Sequence, residues 1–155
     1  FRLKLGHEVR LKNAYIIKAN DVVKDDSGKI LEIHCTYDED SKSGSGTEAS
    51  MRKVKGTIHW VSVVHALQAE VRLYDRLFTH EAPDSDKDED FKDYINPESL
   101  QVIPAAYLEP SLENVNPGDH FQFQRLGYFN VDDDTRPGSL DFNRTVALRD
   151  SWARM

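Results

Sequence analysis

An all-β fold built from small antiparallel barrels or a sandwich is what this 155-residue sequence predicts. Three observations lead there. Apolar residues recur with period two in several short segments, Gly, Pro, Asn and Asp stand at the breaks, and helical periodicity is weak. Only 63–70 and 111–115 have the pattern to hold a helical turn or two. The length allows one ordinary domain or two small barrels sharing strands, with a first module at 1–62 and a second at 63–155. A hydrophobic fraction of 39% supports a packed core and excludes a wholly disordered chain.

Along the chain, Val9, Leu11, Asn13, Tyr15 and Ile17 alternate with Arg10, Lys12, Ala14 and Ile16. A single strand through them turns Arg10 and Lys12 to one face, opposite the apolar side. Asp25-Asp26-Ser27-Gly28 is a turn signal, and Ile30, Leu31, Ile33, Cys35 and Tyr37 read as the return strand of a hairpin. The segment 41–50 (SKSGSGTEAS) is rich in Ser and Gly and is expected to bury almost nothing, as a flexible loop. Strands are predicted at 53–64, 71–78, 100–103, 120–129 and 140–148. The stretch 82–92 is a second flexible loop, inside a run at 81–93 where seven carboxylates oppose only Lys87 and Lys92. Trp60 and Trp152 are assigned to the core, because an isolated Trp in an apolar strand usually packs.

The net charge of −7 excludes a wholesale basic coat, so any nucleic-acid contact needs a local cationic face. One exists at 1–18, where Arg2, Lys4, Arg10, Lys12 and Lys18 stand against Glu8 alone. Cys35 is the only cysteine, which excludes an internal disulfide and suggests a reducing, cytoplasmic setting. No apolar run approaches the roughly 20 residues of a membrane span, and no secretory leader is evident. The chain begins with Phe1, which suggests a fragment of a longer protein. The six histidines include no HExxH pair, and the acidic run lacks the Gly and Glu of a calcium loop. Neither a phosphate-binding Gly loop nor a GxSxG elbow is present, so the residues point to no metal, cofactor or nucleophile.

The densest interleaving of aromatic, amide and cationic residues is His120-Phe121-Gln122-Phe123-Gln124-Arg125-Leu126-Gly127-Tyr128-Phe129. Alternation sends Phe121, Phe123 and Arg125 to one face and Gln122 and Gln124 to the other, with Gly127 permitting a bulge or turn that re-aims Arg125. A glutamine amide carries a donor and an acceptor that complement the Watson–Crick edge of an unstacked base, and arginine bonds both base edges and phosphate. The bland alternative makes Phe121, Phe123, Tyr128 and Phe129 core and the glutamines an ordinary wet face.

The stretch from Phe1 to Ala19, with Arg2-Leu3, Leu5-Gly6 and Glu8-Val9-Arg10-Leu11-Lys12-Asn13-Ala14-Tyr15, resembles the C-terminal anticodon-binding region of the glutaminyl-tRNA synthetase family. So, in family order, do Lys53-Val54-Lys55-Gly56-Thr57-Ile58-His59-Trp60-Val61-Ser62, Val71-Arg72-Leu73-Tyr74-Asp75-Arg76-Leu77-Phe78, Ile95-Asn96-Pro97-Glu98-Ser99-Leu100, 121–129, and 142–153. Only the loops at 41–50, 82–92 and 132–141 fall outside. Several long matches in one order are far more specific than any one of them.

The resemblance implies two antiparallel β-barrels, related in fold to a ribosomal 5S-RNA-binding protein, that grip the anticodon of glutamine tRNA. It implies that Arg2 reads the third anticodon base, that Arg10 and Lys12 hold the first, and that Gln122, Arg125 and Ser151 surround the middle one. Lys12 stands where a related enzyme has Arg and keeps the charge without the planar fork, which favours phosphate over base contact. Ser151 stands in place of Thr and keeps the hydroxyl. ATP and magnesium are expected in an upstream catalytic half, since neither a HIGH-like nor a KMSKS-like signature occurs here. A monomer whose own catalytic domain is its neighbour is the implied assembly. The alternatives are the anticodon-binding region of an archaeal or eukaryotic type of glutamyl-tRNA synthetase, a stand-alone ribosomal-RNA-binding barrel and, with least in its favour, a small β hydrolase.

Overall fold

A computed structural model describes residues 2–85 and 88–148, in which strands are the main regular structure and helical turns are few and short. It divides into two compact units, Phe1–Trp60 and Val61–Met155.

The first unit holds a four-stranded sheet in the order β3-β2-β1-β4, formed by β1 (Glu8–Leu11), β2 (Ile16–Lys24), β3 (Ile30–Asp38) and β4 (Thr57–Ile58). The strand expected through residues 9–17 is two strands. Asn13 takes φ 57°, a left-handed conformation that Asn tolerates better than most residues, and the Ala14 N–H donates to the Leu11 carbonyl at 3.0 Å. The chain reverses there, so Arg10 lies in β1 and Lys12 in the turn, not side by side on one strand face. The expected β2–β3 hairpin is present. The Asp25 carboxylate accepts from the Ser27 and Lys29 N–H groups and the Ser27 hydroxyl, which holds that carboxyl below its usual range, and Gly28 takes φ 82°.

Val9, Ala14, Ile16 and Ala19 are the apolar core of this unit. Ser41 is completely buried beside them, so the serine-rich segment buries more than its composition suggests. The Ser41 hydroxyl donates to the Asp38 carbonyl at 2.5 Å and accepts from the Ile16 N–H at 2.8 Å. A single helical turn, α1 (Glu48–Met51), follows, capped by the Thr47 hydroxyl. Of the strand expected at 53–64 only β4 forms, running parallel to β1 over two residue pairs and stopping where the Asn13 turn carries its partner away.

The second unit is a five-stranded sheet in the order β6-β5-β9-β8-β7, formed by β5 (Leu67–Tyr74), β6 (Leu100–Leu108), β7 (His120–Phe123), β8 (Gly127–Val131) and β9 (Leu140–Ala147). The 63–70 stretch is a turn leading into β5, not a helix, while a 3₁₀ turn at Pro110–Leu112 overlaps the helical turn expected at 111–115 and another lies at Phe91–Tyr94. Strand β6 runs five residues past the predicted end at 103. Pro104 is accommodated because β6 is an edge strand and its register with β5 shifts between Ala69 and Val71. Core residues include Val71, Leu112, Phe129, Val131, Leu140 and Phe142, with Phe121 and Phe123 packed against them. The Phe123 and Phe129 rings stack at 4.4 Å, and Phe121 meets Phe142 edge-on at 6.2 Å.

The all-β class holds, with two corrections. Among the described residues neither ladder closes into a barrel: β3 and β4 end one sheet, β6 and β7 the other. The sheets are also mixed, since β1–β4 and β5–β9 pair in parallel. No helix among the described residues is long and apolar enough to cross a membrane.

Candidate nucleic-acid interface

The two units differ in charge. Residues 1–60 carry eleven Lys and Arg against nine Asp and Glu, whereas 61–155 carry nine against eighteen. Cationic groups that are not already neutralised therefore matter most in the first unit.

Arg10 has no carboxylate partner among the described residues, but its guanidinium donors are already committed within the unit. From β1 its Nη1 donates to the carbonyls of Ser41 (2.7 Å) and Ala14 (3.3 Å) and to the Ser43 hydroxyl (3.1 Å), while Nη2 donates to the carbonyls of Ser50 (2.9 Å) and Arg52 (3.2 Å). The guanidinium fork thus holds the 41–52 segment against β1. Arg52 is likewise engaged, with Glu8 at 2.6 and 3.3 Å and Asp38 at 3.4 Å, and the Arg52 bond holds the Glu8 carboxyl below its ordinary range.

Arg2 and Lys12 are different: among the described residues neither side chain has a hydrogen-bond or ion-pair partner. Arg2 is exposed on the segment leading to β1, and half-buried Lys12 sits on the β1–β2 turn. The Lys12 backbone is fixed at both ends, its N–H donating to the Ile58 carbonyl and its carbonyl accepting from the Trp60 indole N–H, each at 3.0 Å. Trp60, expected in the core, is 47% exposed. It follows the two-residue β4, which does not bury it.

In the second unit Gln122 lies on the outer face of β7, with no partner for its amide among the described residues. Directly opposite on β8 is Tyr128, 47% exposed rather than core as the bland reading had it. Phe121 and Phe123 do face the core. Arg125 does not share their face, because it occupies the tip of the β7–β8 hairpin with φ 67°, where the Leu126 N–H donates to the Phe123 carbonyl at 2.9 Å. Gly127 follows with φ 152°. A Cβ there meets the Val146 carbonyl oxygen at 2.5 Å, so only glycine lets β8 lie this close to β9. Ser151, like Trp152, lies outside the described residues.

Arg72 shows the opposite use of a cation. It bonds Glu70 at 2.7 Å and lies 3.4 Å from Asp132 and 3.7 Å from Asp134, tying β5 to the 132–141 loop. Sequence reasoning missed Trp60 and Tyr128 as exposed rings. The available signal was their neighbours: Trp60 follows Lys53, Lys55 and His59, and Tyr128 follows Gln124 and Arg125.

Exposed rings beside uncommitted amide and cationic groups on a β scaffold are the elements with which proteins hold unpaired bases. Two family models described as anti-codon binding domain of class I tRNA synthetases (E and Q) match residues 1–38 and 57–132, and the chain belongs to that family. Among curated proteins it is similar to a glutamine–tRNA ligase of Nitrosomonas europaea, 55% identical over 99% of this chain, and to one of Rhodopirellula baltica, 51% identical over the whole chain. A third, from Stutzerimonas stutzeri, is 50% identical over 99% of the chain. The chain spans 26–27% of the length of these relatives.

Proposed function

We propose that this chain holds the anticodon loop of glutamine tRNA within a ligase that joins glutamine to that tRNA with ATP. The observation that carries the reading is identity of 50–55% to glutamine–tRNA ligases, sustained along essentially the whole chain. Arg2 and Lys12 supply cations for phosphate or base, Gln122 supplies an amide beside Tyr128, and Arg125 and Ser151 complete the set around the middle base. Arg10 serves from within, as a positioning residue whose fork keeps the 41–52 segment in place. ATP and magnesium act in the portion of the ligase that this chain does not span, and no residue here is assigned to them. The working form is a cytoplasmic monomer in which this region lies beside its own catalytic domain.

The mechanism is discrimination by pairing. A base that matches satisfies the amide and guanidinium groups it desolvates, while a wrong base leaves some of them unpaired, at a cost of about 1–3 kcal/mol per position. The test is binding of an RNA hairpin whose seven-nucleotide loop presents a glutamine anticodon, against a hairpin with a changed middle base. Gln122→Ala is expected to weaken the first and bring the two together, and Lys12→Ala to flatten the log–log salt dependence by roughly 0.7. Equal affinity of the unmodified protein for both hairpins would contradict the reading. Because the family covers both E and Q enzymes, glutamate tRNA is the second candidate, and charging of the two amino acids by the full-length ligase separates them.

A further inference from the structure

We propose that Trp60 is a stacking platform for one unpaired nucleobase, with the Lys12 ammonium taking the adjoining phosphate; this rests on the anticodon-loop reading above. The indole N–H, the only polar group of the ring, is spent on the Lys12 carbonyl at 3.0 Å. What remains exposed is carbon and π surface, with 47% of the residue open to solvent. That anchor also fixes the ring. Lys12 is held to Ile58 through its own N–H, and Ile58 pairs with Leu11 in the parallel β1–β4 ladder, so the platform is tied to the end of that ladder. A preorganised ring loses little rotamer freedom when a base stacks on it.

Charge selects the occupant. Trp60 is anchored by the very residue whose ammonium has no partner among the described residues, and exposed Lys53, Lys55 and His59 flank β4 in sequence. A nucleotide offers both halves of the complement, a π face for the indole and a phosphate for the lysine. An apolar protein segment offers only the first. Since every base has a π face and the indole N–H is already committed, Trp60 adds affinity without reading identity. That distinguishes it from Gln122.

The test uses the same RNA hairpin with 2-aminopurine placed in turn at each loop position. One position is expected to lose its emission on binding the unmodified protein and to keep it with Trp60→Leu. Trp60→Leu should weaken the glutamine-anticodon hairpin and the changed-middle-base hairpin by the same factor, roughly 5- to 100-fold, with the salt slope unaltered. Trp60→Phe, which keeps a ring, should lose less than about 5-fold. Affinity of Trp60→Leu within twofold of the unmodified protein overturns the platform. So does a loss as large in Trp60→Phe as in Trp60→Leu, accompanied by a matching fall in melting temperature, because that is the mark of a structural role. If the unmodified protein does not distinguish the two hairpins while Trp60→Leu still weakens both, the anticodon reading fails and the platform stands as a general single-strand contact.

Discussion

Arg10 Nη1 lies 2.7 Å from the carbonyl oxygen of Ser41, a residue 31 positions further along the chain. Together with the bonds to Ala14, Ser43, Ser50 and Arg52, this makes one side chain the tie between β1 and the segment that precedes β4. Lysine cannot replace it, because a single ammonium cannot address both groups of acceptors. Arg10→Lys and Arg10→Ala are each expected to lower the unfolding free energy by about 2–3 kcal/mol, read from urea denaturation. Full stability in Arg10→Lys would show that the carbonyls need only a nearby charge.

The Glu8–Arg52 pair makes stability depend on pH. Bonding to Arg52 lowers the Glu8 pKa below its ordinary 4.5, so the folded state binds its proton less readily than the unfolded state. The stabilisation is therefore present above about pH 4.5 and is lost as pH falls through the lower folded value. Both side chains are about two-fifths exposed, 41% for Arg52 and 39% for Glu8, so solvent screens the effect and added salt weakens it. Glu8→Gln should flatten the acid limb of the stability curve. Curves that run parallel through that limb would show that the pair carries no linkage.

Gly127 has no room for a side chain. Gly127→Ala drives a methyl against the Val146 carbonyl at a φ unfavourable for L-residues, with an expected cost of about 1–3 kcal/mol. Because the residue ends the turn that carries Arg125, RNA affinity should fall along with melting temperature. A variant as stable as the parent would mean that β8 and β9 separate without cost.

Phe142 is completely buried and meets both Phe121 and Phe123. Phe142→Ala should cost about 3–5 kcal/mol, and Phe142→Leu clearly less, because leucine refills part of the volume. Chemical denaturation resolves the difference, and equal losses would point to ring geometry rather than volume.

Much of this was legible in the sequence where local rules decide. The hairpin at Asp25–Gly28 was readable because Asp, Ser and Gly at those spacings make their own turn. The packing of Phe121 and Phe123 followed from alternation. What the sequence did not disclose depends on partners distant in the chain. Asn13 continues an alternating pattern, and only its left-handed conformation breaks the strand. Arg10 looks like a free surface cation until the carbonyls of 41–52 arrive beside it. Trp60 looks like core until β4 proves two residues long. Pro104 looks like a strand end until the strand proves to lie at an edge.

Strand β3 is paired only with β2 along one side, and every residue from Ile30 to Tyr37 is exposed. Beyond that single ladder it has only side-chain contacts such as Tyr15 against Tyr37 and Arg52 with Asp38, whereas β9 lies inside its sheet with pairing on both sides and its own Phe142 buried in the core. The two regions should therefore open on different timescales. Amide hydrogens of β3 should exchange with deuterated solvent through local fraying, while those of β9 wait for the unit to come apart as a whole.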